Sequence, residues 1–202
     1  MSVKKWLGFL LILTGTIIIV YQYLEWNTGR TSAEKVSQEE MEKYEARKKT
    51  VDPPPIPENA ETISLPDHEL GEKVATLVIP RIEQKYSVYW GTNEEVLKQG
   101  VGMFISKSTT VPGIAHTVLS GHRDTVFVRL GELEDGDELI IEYDSKIYTY
   151  TIRKIWITDE NDRTVIVPKD QPTLTLTTCY PFTYFGNATE RYIVQGMLKS
   201  VN

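Results

Sequence analysis

Residues 173–179 read TLTLTTC, and this stretch is the clearest indication of the fold class. Leucine and threonine alternate with a period of two, which is typical of a β-strand. The pattern therefore predicts Leu174 and Leu176 on a core face and the threonines on the opposite face. Cys179, the single cysteine of the chain, falls on the threonine face, and the strand is predicted to end there because Pro181 follows. The stretch thus predicts a β-fold with one thiol at a strand end, away from the core.

Further short strands are predicted around this one, in the segments VATLVIP, YSVYW, AHTVLSG, DELIIEY, KIYTYTIRKIWI and RYIVQGMLK. The fourth and fifth segments predict a hairpin around Asp144, Ser145 and Lys146. TNEEVLKQ predicts a short helix, with Thr92 and Glu95 at the spacing of a capping box. Many short strands with turn residues between them favour a closed barrel or a sandwich, so the fold class is mostly β.

The N-terminus is the most apolar part of the chain. Residues 6–24, WLGFLLILTGTIIIVYQYL, carry no charge, and about 20 such residues cross the hydrocarbon core of a bilayer as a helix. Lys4 and Lys5 precede them, so the positive-inside rule places residues 1–5 in the cytoplasm and the rest of the chain outside the cell. A cleaved signal peptide is the alternative, but YQYLEWN lacks small residues for cleavage. The prediction is a single uncleaved transmembrane signal anchor.

Residues 25–72 are predicted to form an extracellular stalk. SQEEMEKYEARKK begins with a capping box of Ser37 and Glu40 and has a thin apolar stripe, so we expect a short solvated helix with little core contact. VDPPPIPENAE, residues 51–61, is too rich in proline for a helix or a central strand and predicts a stiff, extended spacer. Residues 73–202 then form the folded β-domain.

The charge balance bears on the partners of this domain. The chain carries a formal net charge of −6 and no block of basic residues, which argues against binding to nucleic acid.

Outside the cytosol a single cysteine has no disulfide partner in its own chain. Cys179 is then a buried apolar side chain, an intermolecular crosslink or a nucleophile.

Two further side chains favour the nucleophile. LSGHRDT places His122 just after a predicted strand, with Asp124 and Ser120 as candidate partners that hold the imidazole. Arg191 opens the last strand, and it emerges at the same end as Cys179 if that strand pairs antiparallel with TLTLTTC. A guanidinium stays protonated, and its several N–H groups can hold a developing oxyanion.

The other two histidines are weaker candidates. His68 lies in the linker before the domain, where solvent is its expected neighbour. His116 begins the strand that leads to His122, so we expect it toward the opposite end of that strand and keep it as the fallback.

Together the three residues indicate acyl transfer. A thiolate of Cys179 attacks a peptide carbonyl, and Arg191 with a backbone N–H stabilises the tetrahedral oxyanion. Protonated His122 gives its proton to the departing amine, and water or another amine resolves the thioester. No carboxylate is assigned firmly enough to complete a triad.

The motifs LSGHRDT, TLTTCYPF and RYIV resemble the sortase family of Gram-positive bacteria, and GHRDT with CYPF is most similar to the class D members. The resemblance extends over roughly residues 73–199 and agrees with the single N-terminal anchor. It implies a closed eight-stranded β-barrel with Cys179 as nucleophile, His122 as general acid and base, and Arg191 at the oxyanion or the substrate. No cofactor is implied.

The implied reaction cleaves the LPxTA- or LPxTG-type sorting signal of a secreted protein after Thr and passes the acyl group to an amine of lipid II or peptidoglycan. In this family the loops beside the cysteine strand shape the peptide groove. Val165, Ile166, Val167 and Pro168, with Thr178, are therefore expected to contact the peptide. Simple loop packing is an equally weighted alternative for the loop residues.

Two departures from the family narrow the prediction. Asp52, Pro53 and Pro54 lack the aromatic residue of the lid found in pilin-polymerising sortases, so pilus assembly is not expected. The acidic runs 132–137 and 159–162 lack the ligand spacing of a calcium loop, so no metal is predicted.

Two other functions stay open. The same three residues would serve a cysteine peptidase that mainly hydrolyses its substrate. A non-catalytic surface module would instead bind a partner and keep Cys179 as a structural thiol that alkylates only after unfolding.

Overall fold

The computed structural model describes residues 3–31, 33–46, 65–183 and 186–202. The helices are α1 (Val3–Thr31), α2 (Gln38–Ala46) and α3 (Glu94–Gln99). The strands are β1 (Ala33–Lys35), β2 (Lys73–Ile79), β3 (Gln84–Trp90), β4 (Val101–Met103), β5 (His116–Ser120), β6 (Glu138–Tyr143), β7 (Lys146–Asp159), β8 (Thr173–Tyr180) and β9 (Glu190–Val201).

Strands β2 to β9 close into a barrel. They are hydrogen-bonded in the order β3-β2-β6-β7-β9-β8-β5-β4, and β4 pairs back onto β3. The β3–β4 and β5–β8 contacts are parallel and the others are antiparallel. Closure removes the unpaired edges that an open sheet would present. The predicted closed eight-stranded barrel is confirmed.

The barrel interior is apolar, as the alternation in β8 predicts. Leu174 and Leu176 are fully buried and pack in one cluster with Leu77, Leu119 and Val194. Burying each such side chain contributes about 1.5–3 kcal/mol before the entropy cost of ordering it. This core holds the strand ends that carry the candidate site in fixed register.

Two local predictions have different outcomes. The hairpin is confirmed, with Tyr143 paired to Lys146 across a two-residue turn, and Asp144 and Ser145 take the positive φ angles that such turns need. The capping box at Thr92 is wrong by one residue. Asn93 caps α3, because its side-chain oxygen accepts a hydrogen bond from the backbone N–H of Val96 at 3.0 Å.

The segment at residues 33–46 lies on the barrel, which corrects the expectation of a helix with little core contact. Strand β1 pairs antiparallel with the first half of β3, and Val36 beside it is buried. The capping box of Ser37 and Glu40 forms as predicted, with Glu40 N–H donating to Ser37 Oγ. Glu40 also accepts a hydrogen bond from Lys85 of β3 at 2.8 Å. A three-residue edge strand is too short for the alternation of a strand to be recognised, so the sequence pattern did not predict this docking.

Residues just before β2 also contact the barrel. His68, expected in solvent, packs edge-on against Trp90 with ring centroids 5.0 Å apart, and its Nδ1 lies 3.1 Å from a carboxylate oxygen of Glu72. Gly71 N–H donates to Trp90 O. The solvated environment predicted for His68 is therefore wrong. The domain limits at 25–72 and 73–202 remain predictions, and the spacer at 51–61 lies outside the described residues.

Helix α1 contains one stretch suited to a membrane. Residues Lys4–Leu24 are long and apolar enough to cross a bilayer by length and composition, and none of this stretch is buried against the rest of the protein. In the described part of the chain it is the one helix with these properties. A single-pass anchor is consistent with this helix, while its orientation remains a prediction.

Candidate active site

The thiol and the guanidinium lie on neighbouring strands at the same end of the barrel. Strands β8 and β9 pair antiparallel, and Cys179 and Arg191 are direct partners across this pair. Opposed residues in an antiparallel pair have Cβ atoms about 5 Å apart. Cys179 is half-buried and makes no disulfide. The conditional prediction that antiparallel pairing brings Arg191 to the end of Cys179 is confirmed.

Arg191 is held by three hydrogen bonds. Its Nη1 donates to the carbonyl oxygens of Ala188 at 2.8 Å and Glu190 at 3.0 Å. Its Nη2 donates to a carboxylate oxygen of Glu160 at 3.1 Å. A guanidinium has five N–H groups. Two of these groups have no acceptor among the described residues, while the side chain itself is already held in place.

His122 sits on a turn that the backbone fixes. Gly121 N–H donates to Thr177 O of β8 at 3.2 Å. Val126 and Phe127, which follow in the chain, both donate their N–H groups to His122 O. A Cβ at Gly121 would lie 2.8 Å from the Phe127 ring. The absence of a side chain at Gly121 therefore makes room for the Phe127 ring.

The candidate partners of His122 have separate fates. Ser120 ends β5 and lines the same cavity as His122. Asp124 is exposed and does not line that cavity. Among the described residues, no side chain hydrogen-bonds to the imidazole of His122. The structure therefore does not bring Asp124 to the imidazole.

Cys179, His122 and Arg191 line one cavity of about 340 Å³ on the outer face of the barrel. Val165 and Ile166 from the β7–β8 loop line it as well. The other lining residues come from strand ends, from the α3–β4 region, and from the end of β7 with the loop after it: Thr92, Leu97, Phe104, Ser120, Gly121, Thr158, Asp159, Glu160, Asp162, Thr177, Thr178 and Ile193. This volume is at the small end of the range typical of ligand pockets.

The remaining predicted groove residues lie elsewhere. Val167 and Pro168 are not among the residues that line the cavity, and the Val167 carbonyl points to the barrel instead. Thr178 touches the cavity, but its hydroxyl is buried and donates to Gly121 O at 2.7 Å. Thr178 therefore braces the turn before His122. The structure brings Val165 and Ile166 to the site and leaves Val167 and Pro168 outside it.

Several site residues were missed from the sequence. Leu97 and Phe104 come from the α3–β4 region, which carries no motif, and only the barrel closure places them opposite Ile166. Glu160 was considered only as part of an acidic run. Its proximity to Arg191 follows from the β7–β9 pairing, in which Asp159 is the partner of Glu190.

Asp162, in the loop after β7, stabilises the loop itself. Asp162 accepts hydrogen bonds from the hydroxyls of Thr158 and Thr164 and from Thr164 N–H. These bonds lower the pKa of Asp162 to about 2. Within the described ranges, no group of three or more His, Cys, Asp or Glu side chains is arranged to hold a metal ion.

Comparisons with known proteins agree with this architecture. The sortase domain family matches residues 77–199, more than half of the chain. Sortase D of Bacillus subtilis (strain 168) is 43% identical over 130 residues, a match that covers 63% of this chain and 65% of that protein. The chain thus matches slightly less than two thirds of that relative's length.

Solved structures show the same likeness. The catalytic domain of B. anthracis SrtD is 56% identical, with a TM-score of 0.60, and the match covers 69% of this chain and 96% of that one. A Clostridium perfringens Sortase D5 transpeptidase is 28% identical with a TM-score of 0.58, covering 65% and 82%. Barrel, strand order and sequence matches together show that the chain belongs to the sortase family and resembles its class D members.

Proposed function

We propose that this protein is a membrane-anchored cysteine transpeptidase that joins a secreted protein to a cell-wall amine. The observation that carries the proposal is the direct pairing of Cys179 with Arg191 at a cavity that His122 also lines. Family membership and the likeness to a Sortase D5 transpeptidase support the reaction class.

The first half of the reaction forms a thioester. The Sγ of Cys179, as thiolate, adds to the carbonyl carbon of the Thr in the sorting signal. The two free N–H groups of Arg191 are available for the oxyanion, because the other three are already bonded to protein oxygens. His122 in its protonated form gives its proton to the departing amine, the C–N bond breaks, and the acyl group stays on sulfur.

The second half releases the acyl group. An incoming amine attacks the thioester, neutral His122 takes a proton from it, and the C–S bond breaks to regenerate the thiolate. The new amide bond joins the secreted protein to the amine. Water entering in place of the amine would give hydrolysis, so the outcome depends on which nucleophile reaches the thioester first.

The substrate we propose is an extended peptide of LPxTA or LPxTG type. Leu97, Phe104, Val165, Ile166 and Ile193 give the cavity apolar walls on both sides of the strand ends. Such walls suit the leucine and proline of the motif, while the threonine carbonyl lies at Cys179. The acceptor we propose is an amine of lipid II or peptidoglycan.

The location we propose follows from α1. Residues 6–24 anchor the chain in the cell membrane as a single pass, residues 1–5 stay in the cytoplasm, and the barrel at residues 73–202 is extracellular. The length and composition of Lys4–Leu24 support the anchor, and the two lysines before residue 6 support the orientation.

The test uses the full chain in detergent micelles with LPxTA and LPxTG peptides, each with and without diaminopimelate as amine. Mass spectrometry is expected to show a thioester adduct of the protein and an amine-joined peptide. Cys179→Ala, His122→Ala and Arg191→Ala are expected to abolish the joined product, while Lys199→Ala on the distant end of β9 leaves it unchanged.

Each other outcome identifies an alternative. Cleavage with water alone, at every amine concentration, would indicate a hydrolysing cysteine peptidase. No adduct with any sorting peptide, together with a Cys179 that alkylates only after unfolding, would indicate a binding module. Full activity in Cys179→Ala would refute the mechanism.

A further inference from the structure

A second histidine lies on the same outer sheet face as the cavity but deep under the β7–β8 loop. His116, at the start of β5, has no exposed surface. Its Nδ1 lies 2.7 Å from Val167 O and its Nε2 lies 2.8 Å from Thr175 Oγ1. Gln195 on β9 completes the group, with its Nε2 donating to Thr175 Oγ1 at 3.0 Å. None of these four residues is used in the acyl transfer.

The direction of each hydrogen bond follows from the groups present. A backbone carbonyl only accepts, so Nδ1 of His116 carries the proton and donates to Val167 O. In the neutral ring Nε2 is then an acceptor and takes the hydroxyl proton of Thr175. Thr175 Oγ1 in turn accepts from Gln195. Both ring nitrogens of His116 and the hydroxyl of Thr175 thus have hydrogen-bond partners of the right kind, which buried polar groups require.

The surroundings keep the imidazole neutral. Burial is the main cause that lowers the pKa of His116 to about 4; the hydrogen bond to Val167 O opposes this shift, and the positive charge of Lys169 adds to it. At neutral pH the ring therefore has one proton, and the Val167 carbonyl holds that proton on Nδ1. Because the ring keeps one tautomer, Nδ1 always donates to the Val167 carbonyl, and the loop is held in one geometry.

The loop that is anchored this way forms one wall of the cavity. Val165 and Ile166 line the cavity, and Val167 is the next residue along the chain. At the other end of the loop, the hydrogen bonds of Asp162 to Thr158 and Thr164 hold the chain as it leaves β7. The wall residues thus lie between two fixed points, one held through Thr158 of β7 and the other through His116 of β5.

We propose that His116 is a positioning residue that sets the peptide-binding wall of Val165 and Ile166 through its hydrogen bond to the Val167 carbonyl. The proposal rests on the proposed function insofar as the wall binds a sorting peptide. His116 contacts neither peptide nor thiol, so its loss weakens peptide binding and leaves the reactivity of Cys179 unchanged.

Two isosteric variants separate this role from simple packing. Asn places its amide nitrogen near the position of Nδ1, so His116→Asn keeps the donor to Val167 O and loses the acceptor for Thr175. Gln places its amide oxygen near the position of Nε2, so His116→Gln keeps that acceptor and loses the bond to the loop. Both remove a similar part of the ring.

The measurements use the full chain in detergent. His116→Gln is expected to raise KM for the sorting peptide about fivefold to tenfold, as for loss of one neutral hydrogen bond, with kcat changed less than about twofold. His116→Asn is expected to stay within about twofold of the native KM. Cys179 alkylation by iodoacetamide is expected to proceed at the native rate in both variants.

A readout without substrate keeps the two proposals apart. Backbone amide exchange of residues 165–170 is expected to accelerate in His116→Gln and to remain native in His116→Asn. Equal exchange and equal KM in the two variants would overturn the proposal. If the native protein cleaves no sorting peptide, the proposed function fails, yet the exchange comparison still decides whether His116 anchors the loop.

A measurement on the native chain covers the case in which the His116 variants do not fold. Imidazole ¹⁵N NMR of the native protein is expected to show a neutral His116 ring with its proton on Nδ1. A proton on Nε2 would be incompatible with the hydrogen bond to Val167 O and would contradict the proposal.

Discussion

Two histidines on one sheet face have opposite environments. His122 is half-buried at the open end, beside Cys179 and Arg191, and no described side chain hydrogen-bonds to its ring. His116 is fully buried beneath the β7–β8 loop, and both of its ring nitrogens have partners. The same side chain is thus free for proton transfer at one end and fixed as a structural group at the other.

The residue pairs across β8 and β9 show where this face changes from buried to open. Across β8 and β9, Thr175 pairs with Gln195, Thr177 with Ile193, and Cys179 with Arg191. In the first pair Thr175 is fully buried and Gln195 is half-buried, whereas Cys179 and Arg191 of the last pair line the cavity. Coverage by the loop, rather than residue type, separates the reactive end from the structural end.

The largest effect is expected at the open end. Cys179→Ala is expected to lower peptide joining at least about a thousandfold, because the nucleophile is lost, with the free energy of unfolding changed by less than about 1 kcal/mol. Amine-joined product by mass spectrometry and urea unfolding measure the two quantities. A comparable loss of activity in His116→Asn would break the contrast between the two ends.

The next largest effect is expected at Arg191. Arg191→Lys keeps the charge but lacks the fork of donors, and we expect kcat to fall about a hundredfold, as for loss of an oxyanion donor. Single-turnover formation of the thioester isolates this step from amine attack. A native rate in this variant would show that charge alone suffices at the open end.

The buried end predicts a pH effect on stability. The folded pKa of His116, about 4, lies below the ordinary value of 6.5, so the folded state resists protonation. Its contribution is complete above pH 6.5 and is lost as the pH falls toward 4, by about 3 kcal/mol. Comparing urea unfolding of the native chain and His116→Asn at pH 7 and pH 4.5 measures this loss. Parallel pH profiles would mean that His116 is not held neutral by the fold.

The smallest effect is expected at Glu160, at the edge of the cavity. Glu160→Gln removes a charge 3.1 Å from Arg191 on a carboxylate whose side chain is 39% exposed. Because the carbonyls of Ala188 and Glu190 still hold the guanidinium, kcat/KM is expected to change less than about fivefold, and added salt is expected to shrink the difference. A hundredfold loss would make Glu160 part of the machinery at the open end.

The strand pattern carried much of the site. Cys179 and Arg191 were predictable as neighbours, because a period of two and an antiparallel pairing place their side chains on one face at one end. Val165 and Ile166 were predictable only as loop residues of the resembled family. Val167 and Pro168 were predicted together with them but do not line the cavity, since adjacent loop residues need not point the same way.

Other features were outside the reach of the sequence. The N-terminal segment carries a helix signal at residues 38–46, but its docking depends on a three-residue strand that pairs with β3. Leu97 and Phe104 reach the cavity only because β4 closes the barrel onto β3. Pairings between distant segments depend on the packing of the whole chain, which local propensity does not encode.

Except for the three-residue strands β1 and β4, local sequence predicted the strands, the apolar helix at the N-terminus and the strand end at which the single cysteine lies. These follow from local periodicity and from the length of apolar runs, which one segment expresses alone. Which histidine is covered by the β7–β8 loop and which is open to the cavity depends on the tertiary structure. Burial belongs to the loop and strands that meet around a side chain, and those come from segments about 50 or more residues apart in the chain.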